Sequence, residues 1–245
     1  MRKLTIAVDC DDTLFPTAKY FIDSYNKKFN TSVDFEHQHE PDYDGWGVGD
    51  VELLQRLGML QDAEEYRQIE MYDDAARTLN NLRAEGHRLV VVTARKEHER
   101  PITELMIERD APGVFDTIEF VGWHGSKHET LRKIGADVLV DDSMHHLNKA
   151  LEEGILDPGC ALLFDDFPWS RTIVEAGEGI VPDQMRADDG DGNKKNRQQR
   201  QREPGTQKTR HAHLRHRLNR HHLHRGQLLG RLHQANLSGN RRTSI

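Results

Sequence analysis

Two cysteines, Cys10 and Cys160, are all that the 245 residues contain, too few for the disulfide framework of a small secreted domain. Both lie in or beside apolar runs, where reduced, buried thiols of a cytoplasmic protein are expected. Long hydrophobic stretches are missing too: no segment approaches the ~18–20 apolar residues that span a bilayer. The first apolar run follows Met1-Arg2-Lys3 and stops at Asp9, too short for a signal-peptide core. Together these absences point to a soluble cytoplasmic protein with no membrane partner. No internal repeat is present.

A third absence is local. From residue 190 onward there is no Phe, Tyr, Trp, Val, Met or Cys. Fourteen Lys and Arg stand there against two acids, Asp191 and Glu203, a net of +12. The chain totals of 34 basic and 41 acidic residues leave 20 and 39 for residues 1–189, a net of −19. A segment so poor in apolar side chains cannot offset its ordering entropy, so residues 187–245 are expected to form a disordered basic tail. Its Lys/Arg clusters suit nucleic acid through counterion release, and His211, His213, His216, His221, His222 and His224 suit weak metal capture. A solvated tail with no specific role is the simplest alternative and the favoured one.

The first 186 residues carry a different pattern. Apolar runs at 4–8, 89–93, 117–121, 138–140 and 161–164 are continuous rather than alternating, as in parallel strands covered on both faces. Helical patterns at 75–85, 102–109, 127–134 and 144–153 lie between them, several stopped by Gly86, Gly135 or Gly154. Alternation of this kind predicts a doubly wound α/β domain with a parallel sheet, built from residues 1–15 and 73–186. The connection at 16–72 is far longer than an ordinary crossover. It holds helical patterns at 17–29, 51–57 and 63–71, and is expected to be an inserted helical cap.

Four strand ends carry the chemistry. They are Asp9-Cys10-Asp11-Asp12-Thr13, Thr93-Ala94-Arg95, Lys127 a few residues past the third run, and Asp141-Asp142. In an open parallel sheet, ligands bind beyond the carboxyl ends of the strands, so one edge gathers all four. Asp9 and Asp11 face the same way on an extended chain, about 7 Å apart. One carboxylate then attacks phosphorus while the other protonates the leaving oxygen. An anionic ester meeting an anionic nucleophile needs positive charge, which Mg²⁺ and Lys127 supply. Oxygen ligands from Asp9 and Asp141 suit Mg²⁺, and Thr93 donates to a phosphate oxygen.

This set resembles the haloacid dehalogenase superfamily of phosphatases. The Asp-x-Asp-x-Thr box is met by Asp9, Asp11 and Thr13, the strand-terminal threonine by Thr93, the lysine box by Lys127 and the acidic pair by Asp141-Asp142. The resemblance implies Asp9 as nucleophile, Asp11 as general acid/base, and Mg²⁺ held by Asp9, Asp11 and Asp141 with Asp142 in support. An insertion directly after the first box, with Val-Asp-Asp-Ser and Asp-Asp-Phe-Pro-Trp, is similar to the 5′(3′)-deoxyribonucleotidase-like branch. That implies a small phosphorylated substrate, a nucleoside monophosphate, with Thr13, Ala94 and Arg95 near it.

Several side chains have two readings. Arg95 either contacts substrate or is an exposed loop arginine. Phe15, Tyr43 and Trp46 either stack on a base or fill the core of the cap, and Trp169 packs near the site mouth. Asp165 and Asp166 either form a second acidic site or cap the following helix. Rival functions are a phosphatase for another small ester or a nucleic acid 3′-phosphate end, and a nucleic-acid-binding protein acting through its tail. A signalling receiver domain uses the same residue types, but with the acidic pair first and no cap.

Overall fold

The structure is a computed structural model that describes residues 2–39, 43–123, 125–165, 167–170 and 222–223. All five expected strands form: β1 (Thr5–Val8), β2 (Arg88–Thr93), β3 (Thr117–Phe120), β4 (Val138–Asp141) and β5 (Ala161–Phe164). Every pairing between them is parallel, in the order β3-β2-β1-β4-β5. Of the tail, only β6 (His222–Leu223) falls among the described residues, pairing parallel with Leu163 and Phe164. The rest of the tail expectation lies outside them.

The continuous apolar runs are explained by alternation onto two faces. Ile6, Val8, Leu89, Val91, Val138, Val140 and Leu162 point into one core, with Leu79 and Leu82 of α4 (Asp73–Ala84) and Met106 of α5 (Arg100–Asp110). Ala7, Val90, Val92, Leu139 and Leu163 point into the other. That second face is covered by Leu131 of α6 (Lys127–Ile134) and Leu147 and Leu151 of α7 (Met144–Glu152). Strand order runs outward in opposite directions from β1 and β4, so the crevice of this doubly wound sheet opens between their carboxyl ends.

Between β1 and α4 the chain builds α1 (Thr17–Phe29), α2 (Asp50–Gln61) and α3 (Glu64–Arg67). They enclose a small apolar cluster of their own: Ile22, Tyr25, Val33 and Leu60, with Tyr43 and Trp46 packed against it. α2 runs past the expected 51–57 and α3 stops short of the expected 63–71. The cause of the short helix is α5, which captures the following backbone. Asp110 accepts the Met71 N–H (2.8 Å), and Arg109 donates to the carbonyls of Arg67 (2.5 Å) and Ile69 (2.6 Å). Among the described residues no helix is long and apolar enough to cross a membrane.

The entry to β2 depends on Asp116, which accepts from Leu89 N–H (3.1 Å) and from Arg83 (2.6 Å). Burial pushes its carboxyl up, but the guanidinium and the amide outweigh that and hold it below the ordinary range. A depressed carboxyl stabilises the fold above its ordinary pKa and loses that contribution as pH falls through the depressed value. Asp116→Asn is therefore expected to cost about 1–2 kcal/mol at pH 7, with the gap to wild type closing toward pH 3. Urea unfolding at both pH values checks this, and an equal gap at each would contradict it.

Candidate active site

The chain leaves β1 in a tight turn rather than an extended segment. Leu14 and Phe15 N–H groups both donate to the Cys10 carbonyl (2.9 and 3.1 Å), and Asp12 N–H donates to Phe15 O (2.7 Å). Asp12 sits at φ 53°, and its carboxylate accepts the Ala18 N–H (3.0 Å) at the start of α1. The turn sends Asp9 and Asp11 to different partners, unlike the parallel orientation that the two-residue spacing predicts.

Asp9 faces inward. Lys127, 3% exposed at the first position of α6, places its Nζ 2.7 Å from Asp9 Oδ1 and 2.8 Å from Asp141 Oδ2. Ser126 caps this helix by accepting the Glu129 N–H (3.0 Å), which fixes where the lysine emerges. The other Asp141 oxygen accepts the Ser143 N–H (2.9 Å). Asp9 is also tied to β4 through its own N–H, which donates to Val140 O (2.9 Å). Nucleophile candidate, lysine and acidic strand end thus meet across the crevice between β1 and β4.

Asp11 is held by a different partner. Both its oxygens accept from Arg95, at 2.9 Å from Nε and 2.7 Å from Nη2. Arg95 is itself 3% exposed, donates to the Thr103 hydroxyl (2.9 Å) and lies 5.5 Å from the centre of the Tyr66 ring. The exposed-arginine reading is corrected. Burial pushes the Asp11 carboxyl up, but Arg95 outweighs it and holds the group below the ordinary range. Nothing in the sequence pattern marked this pair, because its members are 84 residues apart.

Thr93 is fully buried, and its Oγ1 accepts the Arg95 N–H (3.2 Å), leaving its own hydrogen to donate. Ala94 is half-buried beside it. Thr13 is buried with no hydrogen-bond partner for Oγ1 among the described residues. One expected substrate contact is corrected. Phe15 is fully buried in the main core, so its ring offers no face to a ligand. Trp46 packs edge-on against Tyr25 (4.9 Å) in the small cluster of α1 and α2, and its carbonyl accepts the Tyr25 hydroxyl (2.9 Å). Burial removes Phe15 from recognition, whereas Trp46 is only half-buried. Asp166 lies outside the described residues.

Asp9, Asp141 and Asp142 are the candidate metal ligands, each offering an oxygen within 4.8 Å of the others. Asp11, expected among them, is instead engaged by Arg95, while Asp142, expected only in support, belongs to the group. Three acids against one lysine leave buried negative charge unmatched. Burial, opposed by Lys127 but aided by Asp141, pushes Asp9 up to about 6, and burial with the neighbouring carboxylates pushes Asp142 well above the ordinary range. Hard oxygen donors with surplus negative charge fit Mg²⁺. Burial lowers the Lys127 pKa, but Asp141 and Asp9 outweigh it and raise the group above its ordinary value.

Removing that lysine strands the carboxylates. Lys127→Met is expected to destabilise the metal-free protein by about 3–5 kcal/mol, and added Mg²⁺ should recover more stability in the variant than in wild type. Thermal unfolding with and without the ion tests this; equal stability of the two metal-free proteins would refute the charge argument.

No family model matches the chain. A Bacillus cereus protein, provisionally named a nucleotidase, is 29% identical over 109 residues, covering 42% of this chain and 58% of that protein. The matched region thus spans little more than half the relative's length. Among solved structures, a haloacid dehalogenase-like family hydrolase from Streptococcus pneumoniae aligns with a TM-score of 0.50 at 16% identity, over 66% of this chain and 84% of that one. A predicted phosphatase from Clostridium acetobutylicum aligns with a TM-score of 0.51 at 16% identity, over 71% and 91%.

Proposed function

The chain has the haloacid dehalogenase fold, and from that premise we propose that it is a Mg²⁺-dependent phosphomonoesterase working through a phospho-aspartate. The observation that carries this reading is the Lys127 ammonium bridging Asp9 and Asp141 across the crevice of the sheet. A buried carboxylate held at a strand end by a lysine is a nucleophile already oriented and partly compensated in charge.

In the first half-reaction an Asp9 oxygen attacks phosphorus, the ester P–O bond breaks, and the leaving oxygen takes a proton from Asp11. In the second, Asp11 takes a proton from water as that water attacks phosphorus. The bond from Asp9 to phosphorus then breaks and inorganic phosphate leaves. Arg95 holds Asp11 in the ionised form that the second half requires. Proton donation in the first half needs that pair to part and Asp11 to hold a proton, taken from solvent before the first turnover and from the attacking water of the preceding cycle thereafter. In this reading Lys127 and the Thr93 hydroxyl, whose own hydrogen is left to donate, bind phosphoryl oxygens. Mg²⁺, held by Asp9, Asp141 and Asp142, would offset the charge of the phosphoryl group.

For the substrate class we infer a nucleoside monophosphate. The Bacillus cereus relative's name and the likeness of the strand-end motifs to the deoxyribonucleotidase branch support it. Phe15 does not, since its ring is fully buried in the main core.

Phosphate release from nucleoside 5′- and 3′-monophosphates, sugar phosphates and phosphoglycolate, with and without Mg²⁺, tests both levels. Expected is Mg²⁺-dependent turnover, fastest on a nucleotide, falling on the order of 10⁴-fold or more in Asp9→Asn and roughly a hundredfold in Thr93→Val. Preference for a sugar phosphate or phosphoglycolate would overturn the substrate class only. Undiminished turnover in Asp9→Asn would overturn the mechanism.

A further inference from the structure

The helical segment at 168–170, which follows β5, is built onto Asp142. Trp169 Nε1 donates to Asp142 Oδ2 (2.8 Å), and the Ser170 hydroxyl donates to the Asp142 carbonyl (2.6 Å). The start of the helical segment at 168–170 thus grips both the side chain and the backbone of the same residue. Asp165, at φ 61°, redirects the chain just before it.

The indole is in turn held from outside the sheet. Phe167 stacks flat against it (4.6 Å, 5°). Phe35 meets it at 5.5 Å and the His39 ring at 4.8 Å, edge-on. Phe35 and His39 lie in the segment between α1 and α2, so this aromatic group is a contact between the inserted helices and the metal-site edge of the sheet. The main body of the chemistry described above makes no use of it.

A lone carboxylate on a loop rotates freely, and a cation loses affinity when it must first select one rotamer. Outer donors that fix a ligand's orientation commonly change metal affinity by about 10–100-fold. We propose that Trp169 is a positioning residue that fixes Asp142 as a ligand for the divalent cation. Because Phe35 and His39 hold the indole, the packing of the inserted segment and cation binding form one coupled equilibrium. Coupling of this kind is reciprocal: whatever loosens the aromatic contact weakens the ion, and the ion tightens the contact. The inference rests on the metal site of the proposed function but not on the reaction, so its test needs no substrate.

Calorimetric titration of the metal-free full chain with Mg²⁺ tests it directly. Trp169→Phe keeps a flat ring for stacking and removes only the N–H donor. Its Mg²⁺ Kd is expected to rise about 10–100-fold, with little change in the Tm of the metal-free protein. Phe35→Leu, which touches no ligand, is expected to raise the Kd less but in the same direction. Tb³⁺ bound in place of Mg²⁺ and excited through indole should lose emission in Trp169→Phe and keep it in Trp123→Phe. On the unmutated chain, the Trp169 indole N–H should exchange with solvent more slowly once Mg²⁺ is added. An unchanged Kd in Trp169→Phe, or in a folded Phe35→Leu should the first variant not fold, would overturn the positioning role. Failure of wild type to bind any divalent ion would instead remove the metal site, and this inference with it.

Discussion

The contact on which the rest of the site depends is the Lys127 ammonium lodged between Asp9 and Asp141. Burying two carboxylates side by side is costly unless positive charge lies between them. The fold places that charge by three independent devices. Parallel pairing of β1 with β4 brings the two strand ends together. The crevice of the sheet leaves that junction open. A capped helix start sets the lysine at the same edge. Shift any of them and the carboxylates lose their partner or their proximity.

The strands were legible in the sequence because parallel strands buried on both faces read as unbroken apolar runs, and those runs alternate onto two cores as expected. Positions of Asp9, Thr93, Lys127 and Asp141 followed from the same logic, since each ends a strand or opens a helix at one edge. What could not be read were contacts fixed by the tertiary fold. The turn after Asp9 rotates Asp11 toward an arginine 84 residues away, and no periodicity encodes that. Likewise α3 ends early because Arg109 and Asp110, on a distant helix, take its backbone groups. Phe15 and Trp46 were ambiguous for another reason: an aromatic ring that packs and one that recognises a base look alike until burial is known.

Two charged pairs with different roles now stand within one loop's reach. Lys127 keeps Asp9 and Asp141 together, while Arg95 keeps Asp11 apart from them. The separation matters chemically, since carboxylates crowded together compete for one proton, whereas these two sit in fields of opposite consequence. Asp9 is pushed up to about 6 mainly by burial; Asp11 is held down by its arginine against the same burial. In the proposed reaction, a cation would relieve the surplus charge around Asp9, and Asp11 would trade a proton with the leaving group and with water once it parts from Arg95.

The central claim is that Asp9 carries the phosphoryl group in the course of turnover. Rapid mixing with an excess of a hydrolysed ester in Mg²⁺, acid quenching within the first turnovers, and peptide mapping by mass spectrometry would read it directly. The account predicts a phosphoryl group on the peptide containing Asp9, released by hydroxylamine as an acyl phosphate is, and absent from Asp9→Asn. A phosphoryl group on any other residue, or rapid turnover with none trapped on the protein, would contradict it.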